Sequence, residues 1–314
     1  MDRGIRLHAL LALLLVGVAY YAWRSPKEDG KTITLLTMDV DELQSVIYTE
    51  GKDKVTINRA DKGFEVSVEK TADAKIPYAQ TTTQTFPGTA KVEDLYAGLM
   101  PLTTTRTLGK HIESESDKDL QAFGLAAPSA QLVLHVGLSE TTIDIGNASY
   151  GSGDLYARMP NGEVFLLQSN KISPLKHGAA SLTERNALAI DKAKLERVVL
   201  TSGTKTRTLA YHHEAEKGFF VDPQKPDVKL EKLGIFIDRV LRLRVLETTE
   251  TAPEKPAPLR LEFFDLADKM GSLELWPPED KTAPARTSFF KTPVQIGKSS
   301  VEPIFKDLEN VWGE

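Results

Sequence analysis

The sequence predicts an α+β fold, in which an N-terminal transmembrane helix is followed by tandemly duplicated modules of antiparallel β-meander plus short helices. Three observations lead to this prediction: an uncharged apolar run near the N-terminus, β-branched segments that alternate between turn residues, and a segment pattern that occurs twice. The predicted division is an N-terminal membrane anchor and linker at residues 1–30, a first α+β repeat at 31–187 and a second, divergent α+β repeat at 188–314.

The composition limits the classes of function. The chain has 314 residues, of which 41% are hydrophobic and 26% are charged, so it can bury globular cores. Its net charge of -5 argues against nucleic acid as a partner. Because the sequence contains no cysteine, it can form no disulfide, no thiolate nucleophile and no cysteine-ligated metal site.

The N-terminal anchor is predicted from Leu7 to Trp23, a run of seventeen residues without a charged side chain. As a helix this run is roughly 26 Å long, close to the thickness of the hydrocarbon core of a bilayer. Arg3 and Arg6 precede it, which favours a cytoplasmic N-terminus with the rest of the chain on the far side. Two alternatives stay open: a signal peptide cleaved near Ala19, and a buried helix of a soluble protein.

Apolar periodicity predicts the elements of the first repeat. The polar stretch from Thr71 to Gly88 contains two prolines and is predicted to be a loop. A spacing of i, i+3, i+4 and i+7 predicts a short helix whose apolar face is Val92, Leu95, Tyr96 and Leu99. Strands are predicted at Ser45–Thr49 from β-branched and aromatic residues, at Val164–Leu167 from an apolar run, and from alternation at Val55–Ile57, Phe64–Val68, Leu132–Val136 and Ile143–Ile145.

The repeat is visible when Leu43–Val66 is compared with Leu195–Val221. Both stretches contain a β-branched strand, a glycine turn, an alternating strand and then the tripeptide Lys-Gly-Phe, which ends at Phe64 in the first and at Phe219 in the second. A loop and an amphipathic helix follow each stretch. The pattern therefore predicts a duplicated module, an architecture that suits extended binding surfaces.

The glycines at Gly146 and Gly151 have the spacing of a phosphate-binding loop. The lysine that would contact phosphate is missing, and Asp154 adds a negative charge instead. The residues that follow alternate as in a strand, whereas a phosphate loop requires a helix N-terminus. The stretch is therefore predicted to be a loop followed by a strand, with a hairpin turn at Pro160–Gly162.

Two groups of polar residues were considered as metal sites. His212 and His213 would point to opposite faces of a strand, and so cannot easily share one ion. The acidic residues between Glu113 and Asp119 lack the glycine bend of a calcium loop and are predicted to form a solvated linker. We therefore predict no catalytic residue, no cofactor and no metal ligand, and we interpret the chain as a non-enzyme.

The middle of the chain resembles a known family. The stretches that carry the resemblance are "FGLAAPSAQLVLHV" at Phe123–Val136, "TIDIG" at Thr142–Gly146, "DLYARMPNGEVFLL" at Asp154–Leu167 and "LTERNALAI" at Leu182–Ile190. They resemble the bacterial domain of unknown function 4340, over roughly residues 31–252. The chain departs from the pattern at Thr183-Glu184, where the family usually has Arg-Asp.

The resemblance implies a membrane-anchored protein that faces the cell envelope, similar in setting to auxiliary parts of gliding-motility-type ABC transporter systems. Our first hypothesis is a non-catalytic, single-pass inner-membrane protein with a cytoplasmic N-terminus and a periplasmic bulk. Its protein partner would be an ABC transporter permease, an auxiliary subunit or an envelope-assembly complex. The alternatives are an envelope hydrolase acting on glycan or lipid, and a periplasmic ligand sensor with a cavity between its two repeats.

Overall fold

Most of the regular structure is strand. The computed structural model describes residues 32–72, 81–110, 118–214, 218–266 and 268–312. Within these residues, the chain forms twenty strands and five α-helices. The strands build two nine-stranded sheets and one two-stranded sheet, and all pairings are antiparallel.

The first nine-stranded sheet has the order β5-β4-β3-β2-β8-β9-β10-β11-β7. Strands β1 and β6 belong to the same half of the chain and form the separate two-stranded sheet. The strands of this half are β1 (Ile33–Leu36), β2 (Leu43–Glu50), β3 (Asp53–Ala60), β4 (Gly63–Lys70), β5 (Thr82–Pro87), β6 (Leu102–Thr104), β7 (Thr107–Lys110), β8 (Ala130–Val136), β9 (Ser139–Ala148), β10 (Leu155–Arg158) and β11 (Glu163–Leu167).

The second nine-stranded sheet has the order β15-β14-β13-β12-β17-β18-β19-β20-β16. Its strands are β12 (Arg197–Ser202), β13 (Lys205–His212), β14 (Phe219–Asp222), β15 (Lys225–Lys229), β16 (Val245–Thr248), β17 (Leu259–Phe264), β18 (Lys269–Leu275), β19 (Thr282–Thr287) and β20 (Val294–Gly297).

The two large sheets have the same topology. If the nine strands of each sheet are numbered in chain order, both sheets have the spatial order 4-3-2-1-6-7-8-9-5. Each Lys-Gly-Phe tripeptide leads into the third of these strands, β4 in the first sheet and β14 in the second. The stretches that look alike in the sequence therefore occupy equivalent positions in the two sheets. The predicted domain boundary between residues 187 and 188 stays a prediction.

Helices follow equivalent strands in the two halves. Helix α1 (Lys91–Leu99) comes after β5, and α4 (Glu231–Leu241) after β15. Helix α3 (Ser169–Ile172) comes after β11, and α5 (Lys298–Trp312) after β20. The first half also contains α2 (Lys118–Phe123), and short 3-10 helices occur at Val40–Glu42, Ser173–Leu175, His177–Ala179 and Lys192–Lys194.

Side-chain alternation explains how these elements pack. On β4, the residues Phe64, Val66 and Val68 are buried and the residues between them face outward, so one face of the sheet is apolar. Helix α1 covers that face with the four apolar residues that the sequence predicts. The hydroxyl of Tyr96 donates a hydrogen bond to the carbonyl oxygen of Ile57 at 3.1 Å, and burial raises the pKa of Tyr96. The second sheet has its own core, built in the same way.

The outer edge of the second sheet differs from its other strands. All five residues of β15, with the sequence KPDVK, are exposed. Its proline cannot donate a backbone hydrogen bond, and its two lysines place charge along the edge. This edge is therefore poorly suited to pairing with another strand.

The predicted α+β class is wrong, because strands greatly outnumber helices. Two of the strands that the sequence reasoning missed, β5 and β15, are polar edge strands. The predicted loop from Thr71 to Gly88 contains β5, whose sequence TTQTFP carries little apolar alternation. An edge strand forms its hydrogen bonds on one side only and keeps many side chains in water, so its composition is that of a loop.

The prediction of an N-terminal transmembrane helix, and of the membrane and signal-anchor features drawn from it, also needs correction. Among the described residues, no helix has the length and apolar character needed to cross a bilayer. The longest is α5, with fifteen residues and an amphipathic pattern. The predicted anchor from Leu7 to Trp23 lies outside the described residues.

Candidate binding cleft

The two large sheets meet edge to edge, where β5 of the first approaches β16 of the second. The backbone N–H of Thr85 donates a hydrogen bond to the hydroxyl of Thr248 at 3.2 Å. The linker between the halves reinforces this contact, because it forms an antiparallel bridge to each edge, Gly88 with Thr183 and Asn186 with Arg244. The sheets are thus joined by backbone pairing as well as by side chains.

Four backbone hydrogen bonds hold the linker in place. On the side of the first sheet, the N–H of Glu184 donates to Pro87 at 2.7 Å, and that of Thr89 donates to Leu182 at 2.8 Å. On the side of the second sheet, the N–H of Ala187 donates to Leu243 at 2.9 Å, and that of Val245 donates to Arg185 at 2.7 Å. The segment "LTERNALAI" is therefore the connection between the two sheets.

Phe86 couples the two halves most directly. It belongs to β5 of the first sheet, yet its side chain is 1% exposed and packs within the core of the second half. Its ring meets that of Phe290 edge to face, with 6.4 Å between the centroids. The guanidinium of Arg185 lies 4.5 Å from the centre of the Phe86 ring, a cation–π contact.

A cleft of about 590 Å³ opens beside this junction. Its walls are the end of the β3–β4 hairpin, the end of β5 and the loop between β19 and β20. Aromatic rings provide much of the apolar lining, and they come from both halves: Phe64, Phe86, Phe289 and Phe290. A volume of this size falls in the range of pockets that hold small molecules or a few side chains of a partner.

Charged side chains of both signs surround the cleft. Asp61 and Lys62 come from the β3–β4 turn, Glu65 from β4, and Lys291 from the opposite loop. The ammonium of Lys291 forms an ion pair with the carboxylate of Glu65 across the cleft. The hydrogen bond to Glu65 raises the pKa of Lys291 above its ordinary value. The four charges sum to zero, so these side chains give the cleft no net charge that would select a charged occupant.

The glycine-rich stretch does not form a phosphate loop. Gly146 lies in β9, and a Cβ added there would be 2.2 Å from the carbonyl oxygen of Phe123. Gly151 and Gly153 have φ angles of 91° and 72° in the turn, and the strand β10 follows rather than a helix. These glycines therefore permit a close backbone approach and a tight turn, and no residue from Gly146 to Arg158 lines the cleft.

The polar residues considered as metal sites are also separated. The Nε2 atom of His213 lies 3.3 Å from Glu196, whereas His212 stacks on Phe219 with 5.5 Å between the ring centroids. Within the part of the chain that the structure describes, no group of three or more His, Asp or Glu side chains could hold a metal ion. Of the acidic run, residues 113, 115 and 117 lie outside the described residues, and Asp119 lies in α2.

Two interactions among the motif residues were missed by the sequence reasoning. Arg158 is 8% exposed and pairs with Asp144 at 2.9 Å, which joins the "DLYAR" strand to the "TIDIG" strand. Tyr156 stacks on Phe123 with 4.4 Å between the centroids. The motif therefore holds β9, β10 and α2 together. A cavity between the repeats is one alternative raised from the sequence, but the residues of the cleft were not identified there, and their one local signal is an aromatic residue, Phe86, within a polar stretch.

The architecture defines a class of two-repeat β protein with a cleft at the junction of its repeats. The family model described as Domain of unknown function (DUF4340) matches residues 87–262, which is more than half of the 314-residue chain. The chain belongs to this family. No curated protein and no solved structure matches it. The matched region begins at the end of β5 and ends within β17, so it includes the linker that joins the sheets.

Proposed function

We propose that this chain is a non-catalytic binding protein, and that the cleft between its repeats holds an apolar segment of a protein partner. The observation that carries the proposal is the cleft of about 590 Å³ whose aromatic lining comes from both halves. Aromatic side chains dominate the energetics of protein interfaces because they bury a large apolar area. Such a lining favours an apolar anchor on the partner.

The charges around the cleft support a peptide-like occupant. Asp61, Lys62, Glu65 and Lys291 balance one another, so they would not select strongly for a charged molecule. Their position at the edge of an apolar centre matches the arrangement of protein interfaces, in which polar residues form a rim. The lysine of the Glu65–Lys291 ion pair is exposed to solvent. Breaking this ion pair to admit a partner would therefore cost little free energy.

The proposed partner is a membrane transport or envelope-assembly complex, and this part rests on family resemblance alone. The extracytoplasmic location of the folded residues is likewise a prediction. The hydrolase hypothesis also stays untested. The ligand-sensor hypothesis has one specific observation in its favour, because the cleft lies between the two repeats.

Site-specific photocross-linking in cells tests the proposal. A photoreactive residue at Thr292, in the cleft, is expected to capture a defined membrane-complex subunit, whereas one at Thr206 on the distant strand β13 is not. The substitution Phe289→Ala should abolish capture at Thr292 while leaving the unfolding transition in place. Equal capture at the two positions would contradict the proposal. A small molecule that copurifies with the chain, without protein capture, would favour the sensor.

A further inference from the structure

A second pocket lies in the first half, between helices α1 and α3. It has a volume of about 400 Å³. Leu95, Gly98 and Pro174 give it an apolar part. Its polar lining consists of Lys91, Asp94, Asn170, Lys171 and Ser181. None of these residues lines the cleft at the junction of the repeats.

Lys171 is the unusual residue of this pocket. Its side chain is half-buried, and its ammonium donates a hydrogen bond to the hydroxyl of Thr103 at 3.1 Å. Among the described residues, no carboxylate lies within ion-pair distance of it; Asp94 lines the same pocket but does not pair with it. Burial lowers the pKa of Lys171, and no nearby charge contributes to this shift.

The second half provides an internal comparison. Helices α4 and α5 occupy the positions of α1 and α3, since they follow the equivalent strands. There, the guanidinium of Arg239 on α4 pairs with the carboxylate of Asp307 on α5. The helix pair of the second half thus joins its two helices by a cation on the first helix and a carboxylate on the second, whereas in the first half the cation Lys171 lies on the second helix and has no carboxylate partner on the first. Charges that are withdrawn from water are usually paired, so we expect a bound ligand to supply the partner of the half-buried Lys171.

We propose that the pocket between α1 and α3 binds a small organic anion, whose carboxylate or phosphate group pairs with the ammonium of Lys171. Lys91, at the start of α1, adds a second positive charge, so the two lysines together outweigh the single negative charge of Asp94. The amide of Asn170 and the hydroxyl of Ser181 can hydrogen-bond to the same group. Leu95 and Pro174 would contact an apolar body of a few carbon atoms.

Titration calorimetry on the full chain tests this site with two probes, benzoate and inorganic phosphate. Benzoate combines an anionic group with an apolar body, and phosphate has the anionic group alone. Saturable binding of one ion per chain is expected for at least one probe. Binding of benzoate alone would indicate that the ligand of this pocket is a carboxylate with an apolar body. Binding of phosphate alone would indicate that the ligand carries a phosphate group.

The variants distinguish a binding role from a structural one. Lys171→Met should weaken probe binding by about tenfold or more, because it removes a charge-assisted hydrogen bond. Lys176→Met is the matched control: Lys176 pairs with Glu50 at 3.6 Å, and its loss should leave probe binding unchanged. The melting temperature of Lys171→Met is expected to equal or exceed that of the wild type, because a half-buried charge that has no carboxylate partner within the described part of the chain is removed. Absence of binding by both probes, equal binding by Lys171→Met, or a lower melting temperature with unchanged binding would each overturn the proposal.

Discussion

Replacing Phe86 by alanine tests whether the junction couples the two halves. The substitution removes a fully buried ring from the core of the second half, together with its contacts to Phe290 and Arg185. Truncation of a buried phenylalanine to alanine costs about 3–5 kcal/mol, which includes the cavity that remains. With a denaturant slope of about 2 kcal/mol/M, a loss of about 4 kcal/mol moves the urea midpoint by about 2 M.

Tryptophan fluorescence allows the second half to be observed separately. Trp276 and Trp312 both pack in the second half, whereas circular dichroism follows the strands of both halves. In a Trp23→Phe background, both remaining tryptophans therefore report on the second half alone. We expect the two signals to unfold together in the wild type. In Phe86→Ala, the fluorescence transition should move to lower urea and the dichroism transition should become biphasic.

Phe165→Ala is the matched control, because Phe165 is completely buried in the core of the first half. It should cost a similar free energy, but its first effect should appear in circular dichroism rather than in fluorescence. Fluorescence midpoints that agree between Phe86→Ala and the wild type would refute the reasoning. A fluorescence shift in Phe165→Ala as large as that in Phe86→Ala would refute it as well.

Three further substitutions have expected outcomes. Gly146→Ala should lower the free energy of unfolding in urea by about 1–3 kcal/mol, because its Cβ would overlap the carbonyl oxygen of Phe123. Its control is Gly98→Ala in α1, which has open space at its Cβ and should be neutral or stabilising. Equal effects of the two substitutions would contradict this geometry. Hydrogen bonding by Lys269, and then by Arg260, lowers the pKa of Glu262. The stabilisation that the ionised Glu262 gives the folded protein is therefore fully present above its ordinary pKa of 4.5, and it is lost as the pH falls through the pKa in the folded state. Glu262→Gln should therefore be less stable than the wild type by about 0.5–1 kcal/mol at neutral pH. If the variant remains less stable by the same amount in acid, the difference does not come from the charge of the carboxylate.

Local patterns predicted the parts of the fold that depend on neighbours in the chain. The apolar face of α1 and the alternation in β3 and β4 were predicted correctly, because each residue's environment repeats with the geometry of its own element. The polar edge strands β5 and β15 could not be recognised, because their stability comes from backbone pairing and not from alternating burial.

The candidate site depends on contacts that sequence spacing does not reveal. Phe86 and Phe290 are distant in the chain, and the cleft between them exists only because the two sheets meet at one particular edge. Asp144 and Arg158 lie on the neighbouring strands β9 and β10, so their ion pair could be recognised only once the register of the two strands was known. The sequence contains these residues but does not indicate which of them meet.

The exposed edge strand β15 differs from β5, its counterpart in the first sheet, in what it offers to a neighbouring sheet. Val66 and Val221 are equivalent residues of the two repeats; Val66 lies opposite Phe86 in the sheet, whereas Val221 lies opposite Lys229. The position that inserts an aromatic ring from the first sheet into the core of the second half is thus occupied by a lysine in the second sheet. The lysines and the proline of β15 therefore disfavour the docking of another sheet on this edge.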